Sequence, residues 1–331
     1  MSSSRPRRST TLALAAALLT VGLATACQPD GSDDSAAPAA TTAVTGTPTA
    51  ATTGAAGATG ATGGKTGTVT IGRTAYWGGL KFDVKTATYT PDPDGEHFKV
   101  TLATTVTNTF RTTAVRDWPD IAIDVNGTPL TGDHGTAVPP TPGAANPLPL
   151  TFTGTGAFAL DGASLVLGDS GQAQAVVPLG TGGRPAVTLA PVDLKLPANP
   201  ALTSGRLTVN LKTAQLRADV GGGSGGGALT LGQRGLLVVF DLNGQVGPAG
   251  MAVDGSSLRL KLPNGEEVGP TVAPIEAIYP DRPSRQDQTA WFVFSGATDG
   301  DYTLSVTDPD HGAPATAVLP ATNVKASGPT G

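Results

Sequence analysis

Cysteine is nearly missing. Cys27 is the only one in 331 residues, so the chain closes no disulfide within itself and its core must hold by packing. Histidine is almost as scarce. His97, His134 and His311 are too scattered for a metal cluster, and none has a neighbouring serine pattern that would make it a catalytic base. Aromatics make up 5 % and charged residues 14 %, so no aromatic-rich cleft for sugar cleavage is in view. Long helical patterns are also lacking. From Thr68 onward no stretch of ten or more residues keeps a helical apolar period without a Gly or Pro, which argues against helices. Basic residues are few. Setting aside Arg5, Arg7 and Arg8 leaves 18 basic against 26 acidic side chains, a net charge near −8. Such a balance disfavours nucleic acid, whose phosphates need a basic face.

The amino terminus is where apolar residues run longest. A basic stretch is followed by Leu12–Ala26, interrupted only by Thr and Gly. This is the pattern of a secretory signal, too short for a membrane span. It ends in Leu23-Ala-Thr-Ala-Cys27, which resembles the lipobox of bacterial lipoproteins and implies a lipid on Cys27. Residues 1–26 are therefore expected to be a signal peptide. Residues 27–65, mostly Ala, Thr and Gly, have too few apolar side chains to offset the entropy of ordering. They are expected to be a disordered tether of about 35 Å root-mean-square span, with residues 325–331 a disordered tail.

What remains reads as one β-rich pattern used twice. Leu80-Lys-Phe-Asp-Val-Lys-Thr-Ala-Thr-Tyr89 is echoed by Leu207-Thr-Val-Asn-Leu-Lys-Thr-Ala-Gln-Leu216. Asn126-Gly127 and Asn264-Gly265 each close a strand with a hairpin dipeptide, and Asp161-Gly162 and Asp299-Gly300 each precede the sixth strand. The expected fold class is all-β, two tandem antiparallel β-sandwiches over 66–185 and 186–324 with seven strands each, the joint near Gly180–Pro185. The alignment pairs Phe152 with Phe294. The predicted cores are Phe82, Val84, Val100, Leu102, Ile121, Ile123 and Phe152, then Val209, Leu211, Leu236, Val238, Leu258, Leu260 and Phe294. With its signal, tether and the motifs Gly79–Val84, Phe98–Asn108, Asp124–Gly127 and Leu148–Gly154, the chain resembles actinobacterial envelope lipoproteins. Their heads are similar to the immunoglobulin-like domains of secreted mycobacterial antigens. The resemblance implies a sandwich in the cell envelope and brings no catalytic residues.

Candidate chemistry is sparse. Gly221–Gly227 matches glycine-rich motifs by composition alone, and a strand rather than a helix follows it. The repeat makes it a mobile loop at one end of the second sandwich, its two flanking strands in one core. Asp92, Asp94 and Glu96, and Asp299 and Asp301, cluster oxygens as weak Ca²⁺ sites do, but none completes a binding loop, and turns demand the same residues. Trp77, Trp118 and Trp291 are the candidate binding surface. Alternation turns Trp291 away from Phe292 and Phe294, toward a contact between the halves or toward a partner. The chain is expected to lie on the outer face of the cytoplasmic membrane, held by its lipid. It needs no cofactor and serves a non-catalytic binding, scaffolding or accessory role toward an envelope or extracellular protein. The competing expectation is an envelope enzyme or small-ligand carrier with its site between the modules.

Overall fold

The computed structural model describes residues 66–222, 227–296, 299–310, 312–322 and 324. These form an all-β protein in which every strand pair within the sheets is antiparallel. The first half contains β1 (Gly67–Trp77), β2 (Leu80–Pro91), β3 (His97–Asn108), β4 (Ile121–Val125), β5 (Thr128–Thr131), β6 (Ala145–Thr155), β7 (Ala163–Leu167) and β8 (Ala175–Pro178). One sheet runs β1-β2-β3-β6 and the other β5-β4-β7-β8. The second half contains β9 (Val192–Asp193), β10 (Ala201–Ser204), β11 (Leu207–Arg217), β12 (Gln233–Gly244), β13 (Met251–Val253), β14 (Leu258–Lys261), β15 (Glu267–Val268), β16 (Glu276–Ile278), β17 (Ser284–Ser295), β18 (Gly300–Val306) and β19 (Ala315–Ala321). Its main sheets run β10-β11-β12-β17, with β9 also on β11, and β15-β14-β18-β19. Strand for strand, this is the order of the first half.

The register repeats as closely as the order. In β2 the inward residues are Leu80, Phe82 and Val84, then Ala87 and Tyr89. The parity changes at Lys85, which would turn half the strand inside out. A bulge between Val84 and Thr86 in the pairing with β3 absorbs the extra residue. In β11 the same change falls at Lys212, with a bulge between Leu211 and Thr213. The hairpins after Asn126 and Asn264 differ. Asn126 and Gly127 both have positive φ, 50° and 87°, and join Val125 directly to Thr128. In the second half only Gly265 is positive. Pro263 fixes a negative φ at the start of the turn, so the Gly265 N–H reaches back to the Leu262 carbonyl and the loop is longer.

Each half has its own cluster of buried side chains between facing sheets. All seven predicted residues of each core lie in the expected cluster. The pairing of Phe152 with Phe294 is corrected. Phe152 lies opposite Val100, and Phe292 opposite Leu236, its counterpart. A slip of two residues keeps the same face, so alternation alone does not detect it. The first core also extends past the expected joint. Val187 bridges Val176, the Thr188 carbonyl accepts from the Tyr76 N–H, and Leu189 is buried in the first cluster.

Candidate binding site at the junction of the two halves

The outward face of the β1-β2-β3-β6 sheet is rich in threonine: Thr86, Thr88, Thr90, Thr101 and Thr151, with Ala103 and Pro149. At the matching places the second half has Thr213, Gln215, Arg217, Leu237, Trp291, Val239 and Thr289. That altered face receives the first half. Trp291 is 4 % exposed and meets the edge of Phe110, with ring centroids 5.9 Å apart and planes at 89°. Val220 and Leu237 close this small apolar cluster. Gly79 lies under the same ring. Its φ is +86°, and a Cβ there would stand 2.1 Å from Phe110 Cε2, so only glycine fits.

A buried ion pair of the second half lies at the contact. Arg217 donates from Nε and Nη2 to the two carboxylate oxygens of Asp219, at 2.9 and 2.8 Å. Both side chains are fully buried. Their remaining capacity is used mostly by the first half. The Gly79 N–H donates to Asp219 Oδ2 and the Gly78 N–H to the Asp219 carbonyl. Arg217 Nη2 donates to Thr109 Oγ1, and its guanidinium lies 4.8 Å over the Phe110 ring. The side chain of Gln215 continues the chain of contacts outward, accepting from Arg217 and donating to Asp193.

Beside this contact opens a cleft of about 340 Å³. One wall is the loop Thr109–Thr113 of the first half. The floor is Leu237 and Val239 of β12, and Leu194 and Leu196 follow β9 on another side. At its rim Lys212 Nζ lies 2.7 Å from Asp241 Oδ1 and 2.8 Å from Asp287 Oδ1. Bonds to Asp241 first, then to Asp287, hold this ammonium above the ordinary lysine range. Two bulges build the cluster. Lys212 is the extra residue of β11, and Asp287 lies where β17 slips against β12. Asp287 takes a left-handed φ of 53°, its N–H held by Asp241 Oδ1 at 2.8 Å. The ammonium so held presents hydrogen-bond donors at the rim of the cleft.

The other expected sites fall elsewhere. Cys27 lies outside the described residues. Trp77 is half-buried against the first core, its indole over Gly168. Trp118 is also half-buried, tilted against Phe82 and His134, and donates from Nε1 to the Ala137 carbonyl. Trp77 and Trp118 thus contact the first core and Trp291 the junction. Asp92 and Asp94 come together with His97, which the sequence reading had not joined to them, their ligand atoms within 4.8 Å. All three are exposed at the tip of the β2–β3 hairpin, and the Glu96 N–H donates to Asp94 Oδ1. Asp299 Oδ1 accepts from the Val324 N–H, and Asp301 pairs with Pro320 in the β18–β19 ladder. Arg217, Asp219, Lys212, Asp241 and Asp287 were missed. Only Arg217 and Asp241 leave a signal in the sequence, charge at places where the first copy carries Thr90 and Thr105; Lys212 is matched by Lys85. Compared with family models, with curated proteins and with solved structures, the chain matches none of them.

Proposed function

We propose that this is a lipid-anchored cell-envelope protein whose two immunoglobulin-like modules act as one non-catalytic binding head. Immunoglobulin-type sandwiches have one sheet ordered A-B-E-D and another G-F-C, with C′ added beside C in variable forms. Strands β2-β3-β6 correspond to A-B-E, a single bridge from Asp133 to Thr151 stands for D, and β5-β4-β7-β8 correspond to C′-C-F-G. The second half follows suit, with Val272 bridging Trp291 at the D place. In both halves an extra leading strand lies outside A. The observation that carries the reading is the junction, where Arg217–Asp219 and Trp291–Phe110 fuse the halves. Fusion suits a head that presents a fixed surface to a partner. Anchoring rests on Leu23–Cys27.

The test fractionates cells that express the wild type and Cys27→Ser. The wild type should be in the membrane with a lipid mass on Cys27, and the variant should be released. A variant that stays membrane-bound contradicts the anchor. Cross-linking on intact cells, wild type against Phe110→Ala, then tests the head. A cross-linked envelope protein lost in Phe110→Ala supports a binding surface set by the junction. The cleft favours a second reading, a small-ligand carrier with its site between the modules.

A further inference from the structure

We infer that the junction cleft binds a neutral polyhydroxylated ligand of sugar size; this rests on the carrier reading. The internal repeat supplies the control. In the first half Lys85 occupies the same bulge as Lys212, but Thr105 stands where Asp241 does, and β3 and β6 run without a bulge. Thr101 and Ala103 stand where Leu237 and Val239 form the cleft floor. The second half therefore differs from its sister in both the charged rim and the apolar floor, and both changes meet in one cavity.

The chemistry of the lining selects the ligand class. Lys212 is already neutralised by two carboxylates, and Asp193 is held by Gln215. An anion drawn to Lys212 would have to displace those carboxylates, one drawn to Arg111 would meet Asp193 and Asp287 in the same lining, and a cation would meet the Lys212 ammonium and the Arg111 guanidinium. A neutral hydroxyl needs neither. Each carboxylate keeps lone pairs beyond those it uses, and a sugar hydroxyl both donates and accepts. Thr112 and Thr289 add hydroxyls, and Arg111 makes no hydrogen bond or ion pair among the described residues, so its donors are available. The C–H face of a sugar ring suits the floor of Leu237 and Val239. The volume is at the lower end of small-ligand sites, which run from about 300 to 1,000 Å³.

The experiment is calorimetric titration of the full chain, kept in a detergent without a sugar headgroup. The probes are glucose, mannose, galactose, maltose and cellobiose, with glucosamine and glucuronate as charged relatives. At least one neutral sugar should bind. Lys212→Ala, which frees the two rim carboxylates to repel each other, should weaken it at least ten-fold, Arg111→Ala should weaken it less, and Lys85→Ala should leave it unchanged. Arg111 is exposed, so Arg111→Ala should keep the wild-type melting temperature, and Lys212→Ala, at the exposed rim, should stay folded with at most a small drop from the freed repulsion. If the charged relatives bind more tightly than every neutral sugar, the ligand class is wrong and the carrier reading survives. If a neutral sugar binds equally well to Lys212→Ala and Arg111→Ala, the site is wrong. If no probe binds the wild type, the inference fails and the carrier reading, which names no ligand class, stands.

Discussion

At the scale of single residues, the junction is the costliest place to change. Breaking a buried ion pair by removing one partner leaves the other charge without compensation, at about 3–5 kcal/mol. Asp219→Ala should lower stability by that amount in urea denaturation, because Arg217 and the Gly79 N–H both lose their acceptor. The surface lysine Lys85 should tolerate alanine with a change within about 0.5 kcal/mol. A pH effect arises at Asp308, whose side chain is buried beside Arg206. Burial pushes its carboxyl up, but the N–H groups of Arg206 and Asp310 and the Arg206 guanidinium together outweigh that and hold it below the ordinary range. A carboxylate with a depressed native pKa favours folding above its unfolded value near 3.9 and loses that contribution as pH falls through the folded value. The wild type should therefore lose more stability than Asp308→Asn between pH 5 and pH 2. Parallel denaturation curves across that window would contradict the assignment.

At the scale of elements, the long strands and the apolar short ones β4, β7, β8, β9 and β14 were legible, and five other short ones were not. Alternation located β2, β3, β6, β11, β12 and β17, because each buries one face and is long enough to display its period. Strands β5, β10, β13, β15 and β16 have two to four residues each, too few for a period. The glycine run shows where pattern reaches its end. Its flanking strands β11 and β12 share one core, as the repeat implies, with Val209 and Leu211 in the same cluster as Val238 and Phe240. The expected mobility falls on 223–226, outside the described residues. The ends of the run are not free, however. Ala218 and Leu229 are buried in the first core, Val220 lies in the junction, and the Leu229 carbonyl accepts from the Ala173 N–H. Nothing local in Ala-Asp-Val-Gly-Gly announces such a docking, because its partners lie more than a hundred residues upstream at Gly78, Gly79 and Phe110. Trimming within 223–226 should leave the melting temperature within a few degrees. Leu229→Ala should cost about 2–5 kcal/mol, the range for a buried leucine, measured by chemical denaturation.

At the scale of the whole molecule, the two cores are separate and the junction is their coupling. Trp291→Ala or Phe110→Ala removes aromatic packing there without touching the residues between the sheets. Either should turn one cooperative thermal transition into two, with a calorimetric enthalpy that exceeds the van't Hoff value. A single sharp transition in both variants would mean that the ion pair and the docking of Ala218 and Leu229 in the first core suffice to couple the halves. The composition of the contact has a further consequence for assembly. The end of one copy rests on the side of the next, and a head-to-side contact of this kind repeats into an open filament unless something stops it. Both partners of the contact are altered in the copies that could extend it. The first copy offers Thr101 and Thr151 where docking needs Leu237 and Trp291. The far end of the second copy has Arg206 in the place of Gly79, so no bare backbone awaits an aromatic ring. At their outer faces the two copies therefore lack the residues on which the contact between them is built, so this contact has no means of repeating beyond the pair.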